Sequence, residues 1–164
     1  MISKDTISSK FHSSKDVVKL ILAPVLSMAI FTWGNGFFIP FISLRIKAFG
    51  HSTTAVGCAT SAFFIGLLIG SLVQNKLIEK FGHKRAYFMF TIIDIASLTG
   101  LASVNNLYIW FILRIIGGMG VAGLIITAES WFLFSSSDKN KGKILSFYKI
   151  TTYTALGFSQ YFLN

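Results

Sequence analysis

The sequence predicts an all-α, polytopic membrane bundle of about five transmembrane helices, and three observations predict it. Hydrophobic residues fill 53% of the 164 positions and charged residues only 13%, about half the charged share of a soluble domain. The charges are unevenly placed: Leu20 to Leu44 and Ser52 to Asn75 contain none. Each run exceeds the ~20 apolar residues that cross a hydrocarbon core of ~30 Å, where a chain must satisfy its own amides as helix. Five such segments in a row exclude a soluble core. The net charge of +9 does not imply nucleic acid, because the basic residues lie between the apolar runs rather than along one groove.

Residues 1–19 are polar and basic and are expected to form a cytoplasmic tail. Spans are expected at about 20–43, 53–75, 86–104, 107–133 and 144–163, so that 20–164 is membrane domain. The first uncharged run is longer than the ~7–15 residues of a signal-peptide core and reads as an uncleaved anchor. Within it, Gly34, Asn35, Gly36 and Pro40 are expected to interrupt the helix and line a cavity. Asn35 is the foremost substrate-pathway candidate, the alternative being a kink with Asn35 bonded to a neighbouring helix. Tyr153 and Gln160 in the last span join it as candidates. A basic stretch from Lys76 to Arg85 separates the second and third spans. Asn105 and Asn106 form a tight turn before the fourth, and polar Ser135 to Lys143 closes the fourth helix.

Orientation follows from lysine and arginine near the span ends. Lys4, Lys10, Lys15, Lys19, Lys76, Lys80, Lys84, Arg85, Lys139, Lys141, Lys143 and Lys149 fall on one side, and only Arg45 and Lys47 on the other. That imbalance places the N-terminus in the cytoplasm and, after five crossings, Asn164 outside.

Catalysis is not expected. His12, His51 and His83 lie in separate segments on both sides of the membrane and cannot share a metal. Cys58 has no disulfide partner and reads as a small hydrophobe. No serine has an embedded base partner, and no phosphate-cradling loop follows a strand. Neither a cofactor nor a metal is expected.

The segment Asn75-Lys76-Leu77-Ile78-Glu79-Lys80-Phe81-Gly82-His83-Lys84-Arg85 resembles the signature of the major facilitator superfamily between its second and third helices. Glu79 fills the acidic place, Lys80 the basic one, Gly82 the second glycine, and Lys84 and Arg85 the trailing bases. Asn75 stands where the first glycine is usual; Gly66 and Gly70, one turn apart, are available for a close helix contact instead. Leu113-Arg114-Ile115-Ile116-Gly117-Gly118-Met119-Gly120-Val121-Ala122-Gly123 resembles the arginine-and-glycine motif of the fourth helix. With Glu129-Ser130-Trp131, Gly34-Asn35-Gly36, Gly70-Ser71-Leu72 and Gly82-His83, the chain is similar to the YcaD-like branch of bacterial transporters.

The resemblance implies twelve helices in two halves, with solute handled between them by alternating access. Five helices then represent part of an N-terminal half, and the readings are an incomplete carrier or a truncated or split-gene fragment without transport. The expected setting is the bacterial cytoplasmic (inner) membrane. The expected partners are the lipid bilayer, a small solute, a coupling proton and a separately encoded remainder.

Arg114 lies about 10 Å along the fourth helix, too deep to face lipid unpaired. The resemblance implies proton coupling or substrate-site electrostatics for it; the residue-level alternative is a structural cation held by carbonyls or water. Gly117, Gly118, Gly120 and Gly123 are expected to admit neighbouring backbones. The resemblance also groups Glu79, Lys80, Gly82, Lys84 and Arg85 with Glu129 as a cytoplasmic gate, against the alternative that Glu129 is an interfacial acid in water. Asp94, about 12 Å into the third span, is a coupling candidate, though a local ion pair with Lys149, or Lys149 snorkelling to the interface, accounts for these charges more simply.

Reporter fusions at Lys10, His51, Lys84, Asn106, Lys141 and Asn164 should read in, out, in, out, in, out. An even number of crossings would overturn this topology.

Overall fold

A computed structural model describes residues 14–135 and 141–162. The described residues form five helices and no strand: α1 (Ser14–Ala48), α2 (Thr53–Phe81), α3 (His83–Ser103), α4 (Leu107–Ser135) and α5 (Lys141–Tyr161). By length and composition, α1 from Pro24, α2, α3 and α4 to Phe134 are long and apolar enough to cross a membrane. The fifth is a 21-residue helix of more polar sequence.

The helices overrun the expected apolar segments at two places, and an expected interruption of the first one is absent. The backbone of α1 is already helical at Ser14, inside the expected tail, because nothing in 14–19 breaks a helix. The basic stretch Lys76 to Arg85 is not a loop: α2 runs to Phe81 and α3 starts at His83, leaving Gly82 as the whole turn. Its φ of 78° is the left-handed conformation that glycine adopts freely. Gly82 N–H donates to Ile78 O at 2.8 Å, and its own carbonyl accepts from Ala86 N at 3.0 Å. Finally, Gly34, Asn35, Gly36 and Pro40 do not interrupt α1, which stays one helix through residue 48. Proline supplies no N–H to the carbonyl four residues back, here Gly36 O, and Gln160 Nε2 donates to that carbonyl at 3.1 Å. A side chain thus replaces the missing helical bond.

The remaining turns are short and capped. Gly50, at φ 78°, ends α1 with bonds from Gly50 N to Lys47 O and His51 N to Ile46 O, a Schellman arrangement. Ser52 Oγ accepts from Ala55 N at the start of α2. Asn106 Oδ1 accepts from Tyr108 N and Ile109 N at the start of α4.

The chain forms two compact units, one of Phe38–Trp131 and one of the described parts of Met1–Phe37 and Phe132–Asn164. In the first, α2 buries Ala59, Ala62, Gly66, Gly70 and Gln74 and exposes Phe64, Leu68 and Leu72. Small residues inside and bulk outside reverse the soluble pattern. They are what helix association in lipid requires, since close backbone approach replaces the hydrophobic drive. α2 and α4 run parallel, with Gly66 against the backbone of Ile115, Gly118 against that of Phe63, and Gly70 against Met119 and Ala122. α3 runs antiparallel to α4, with Phe90 on Gly123, Asp94 on Gly120 and Ser97 on Gly117. In the second unit, Gly36 meets Ser159 and Leu156, and the Phe132 and Tyr148 rings pack at a tilt with centres 5.0 Å apart.

A methyl group at Gly66 or Gly118 would overlap backbone of the facing helix, whereas at Gly57 it would meet nothing within 4 Å. Gly66→Ala and Gly118→Ala should therefore each cost about 1–3 kcal/mol in unfolding from detergent. Gly57→Ala should be neutral or stabilising by up to ~1 kcal/mol. Equal effects at all three sites would contradict the packing.

Candidate functional site

The strongest concentration of buried polarity lies where α4 is flanked by α2 and α3. Arg114 is 5% exposed and Asp94 4% exposed. Small residues make both positions possible. α2 and α4 come close through Gly66 and Gly118, so Arg114 Nε reaches Ala59 O at 3.4 Å and its guanidinium lies 4.4 Å from the centre of the Phe63 ring. On the opposite flank, Gly117 and Gly120 leave room for Asp94, with Ser97 Oγ donating to Leu113 O at 2.6 Å.

Asp94 and Arg114 attract one another electrostatically, and no hydrogen bond or close ion pair joins them among the described residues. Such attraction is strong where water is excluded. The sequence expectation offered Lys149, paired with Asp94 or snorkelling to the interface; within its own unit Asp94 feels the charge of Arg114. Lys149 Nζ stands over the Tyr148 ring at 5.4 Å. Two further buried atoms of this unit, Gln74 Oε1 and Thr127 Oγ1, have no hydrogen-bond partner among the described residues.

At the α2–α3 turn, Glu79, Lys80, Gly82, Lys84 and Arg85 are exposed, with Lys80 Nζ 5.3 Å from the Phe81 ring centre. Glu129 is half-buried on α4. The next residue, Ser130, shares a 3.0 Å hydrogen bond between its Oγ and His83 Nε2, which ties the end of α4 to the turn. This contact was missed from sequence, although Gly82-His83 and Glu129-Ser130-Trp131 were both conspicuous runs.

In the other unit, Asn35 is half-buried on α1, beside the Gly36 carbonyl that Gln160 reaches. Tyr153 is exposed on α5. The structure brings Gln160 to the Asn35 region and turns Tyr153 outward.

The Major Facilitator Superfamily family model matches residues 25–161. This chain belongs to the major facilitator superfamily. It is 35% identical over 107 residues to an uncharacterized MFS-type transporter of Enterobacter sp. (strain 638), a match covering 64% of this chain and 28% of that protein. It is 30% identical over 102 residues to the uncharacterized MFS-type transporter YcaD of Escherichia coli (strain K12 / DH10B), covering 62% and 27%. The matched stretch thus spans little more than a quarter of these relatives. No solved structure matches. Both relatives are named MFS-type transporters.

Asp94→Asn should destabilise the chain by leaving buried Arg114 without its counter-charge, and Arg114→Gln should do the converse, each by about 1–3 kcal/mol. The double variant should lose less than the sum by at least ~0.5 kcal/mol. Additive losses in detergent unfolding would show that the two charges are not coupled.

Proposed function

We propose that this chain is the N-terminal part of an alternating-access carrier that moves a small solute across the bacterial cytoplasmic (inner) membrane, with its N-terminus inside. The observation that carries the reading is the Arg114–Asp94 pair buried beside the glycines of α4 in a chain of this superfamily. Ionisable groups at membrane depth are costly and are kept where a transport pathway uses them. In this reading Arg114 is the fixed cation and Asp94 exchanges a proton, so the pair alternates between neutral and positive. Asn35, Tyr153 and Gln160 contribute to the solute pathway.

Glu129 and the turn bearing Glu79, Lys80, Lys84 and Arg85 form the cytoplasmic gate. Support comes from Gly82 being a one-residue turn and from the His83–Ser130 bond that holds α4 beside it. The cavity of such a carrier lies between two halves, so the working partner is the remainder of the carrier, encoded separately if this chain stands alone. The alternative is a membrane fragment without transport activity of its own.

The test is reconstitution into liposomes carrying a pH-sensitive dye, challenged with a panel of small solutes. The pure chain should give no solute-dependent proton flux. Supplying the remaining helices should restore it, and Arg114→Ala or Asp94→Asn should reduce it at least about tenfold, the loss of roughly 1.4 kcal/mol or more at the rate-limiting step. Flux from the pure chain that Arg114→Ala removes would overturn the incomplete-carrier reading. Silence with all helices present would favour the fragment.

A further inference from the structure

The geometry points to Arg45 as a clamp that caps α3 from a different helix and holds the ends of α1, α3 and α4 together as one rigid element. Arg45 sits in the last turn of α1. Its Nη1 donates to Leu101 O at 3.0 Å. Its Nη2 donates to Ala102 O at 2.9 Å and to Asn105 Oδ1 at 3.1 Å. Those two carbonyls belong to the last turn of α3, where a helix leaves its acceptors without amide donors. Val104 N supplies Gly100 O, and the fork of Arg45 supplies the next two. A cation at this position also complements the negative end of the helix dipole.

The rings around it close the arrangement. The guanidinium lies 5.3 Å from the Trp110 ring centre and 5.8 Å from that of Phe49, and those rings meet edge-on at 5.8 Å. Trp110, 3% exposed, gives its Nε1–H to Val104 O, so the turn between α3 and α4 is bonded from both sides. Below lie buried Ile42, Ile46, Ala59 and Leu101. The chain outside the apolar spans offers a lysine at position 47 that is exposed, and the contrast is instructive. One cation is solvated and interchangeable, while the other is forked, stacked and directed at three acceptors. Three charge-assisted bonds would have to break before this end of α1 could leave α3. The inference is independent of what the chain transports.

The test uses the full chain in lipid nanodiscs and hydrogen–deuterium exchange resolved by peptide. Arg45→Lys keeps the charge but cannot fork onto two carbonyls and an amide. Exchange across 99–112 should rise about tenfold, as expected for losing hydrogen bonds to a charged group, while 83–94 stays at the parent rate. Asn105→Ala removes one acceptor of the three and should give a smaller rise over the same residues. If Arg45→Lys fails to accumulate, Asn105→Ala still decides, and parent-like exchange over 99–112 in it would overturn the clamp. Parent-like exchange in Arg45→Lys would show that charge alone suffices and would overturn the clamp, as would an equal rise in 83–94.

Discussion

Backbone-to-backbone approach along α4 is the constraint on which the rest of this structure depends. In lipid, apolar side chains gain nothing by leaving one another's company for the bilayer, so helices associate through close packing and hydrogen bonds. α4 achieves both because its glycines face two neighbours at once: Gly118 faces α2, while Gly117, Gly120 and Gly123 face α3. The buried charges are consequences of that spacing. Arg114 reaches Ala59 O only because Gly66 and Gly118 bring α2 close. Asp94 packs directly on Gly120, where an added Cβ would lie 3.1 Å from its backbone N. Glycine normally weakens a helix by roughly 1 kcal/mol against alanine; here, contacts across the helices offset that loss.

Polar side chains of these helices bond backbone carbonyls far more often than other side chains, mostly within their own helix, and four described residues reach a carbonyl of another helix. Ser97 bonds Leu113 O, Arg114 bonds Ala59 O, Arg45 bonds Leu101 O and Ala102 O, and Gln160 bonds Gly36 O. A carbonyl has two lone pairs, and helix ends and prolines leave some with none used. Such contacts are architectural: they satisfy a donor and fix a distance. Polarity in excess of this need is the better pointer to function. Gln74 Oε1 and Thr127 Oγ1, without a hydrogen-bond partner among the described residues, fit that description, as does the buried charge of Asp94 beside Arg114. Gln160, whose amide repairs the gap left by Pro40, fits it less well than its sequence context implied.

Four of the five helices are apolar enough to be read from hydropathy, and the family motifs were readable residue by residue. What it could not show follows from what hydropathy measures. It records where side chains prefer lipid, not where backbone hydrogen bonding stops. Hence α1 starts within a stretch that reads as tail, and α2 and α3 absorb a stretch that reads as loop. The same limit applies to Gly34, Asn35, Gly36 and Pro40, which look like a break but leave α1 whole. Arg45 was legible only as a charge on the minority side, because its partners lie more than fifty residues away and depend on helix register.

The partner of Asp94 was nonetheless within reach of sequence reasoning, had register been used in place of depth. Lys149 matches Asp94 in distance from a membrane face, but depth fixes one coordinate of three. α3 and α4 are joined by the short turn Val104–Asn106, and a short connection makes consecutive helices antiparallel neighbours. Counting outward from that turn, Ser97 and Leu113 stand at equal distances and hydrogen-bond. Asp94 and Gly117 stand at nearly equal distances and face each other. Arg114 is one residue beyond Leu113, so it falls within a turn of Asp94 by connectivity alone. In a helical hairpin, therefore, a charge is best paired first with its counterpart across the turn, and only afterwards with a distant residue of matching depth.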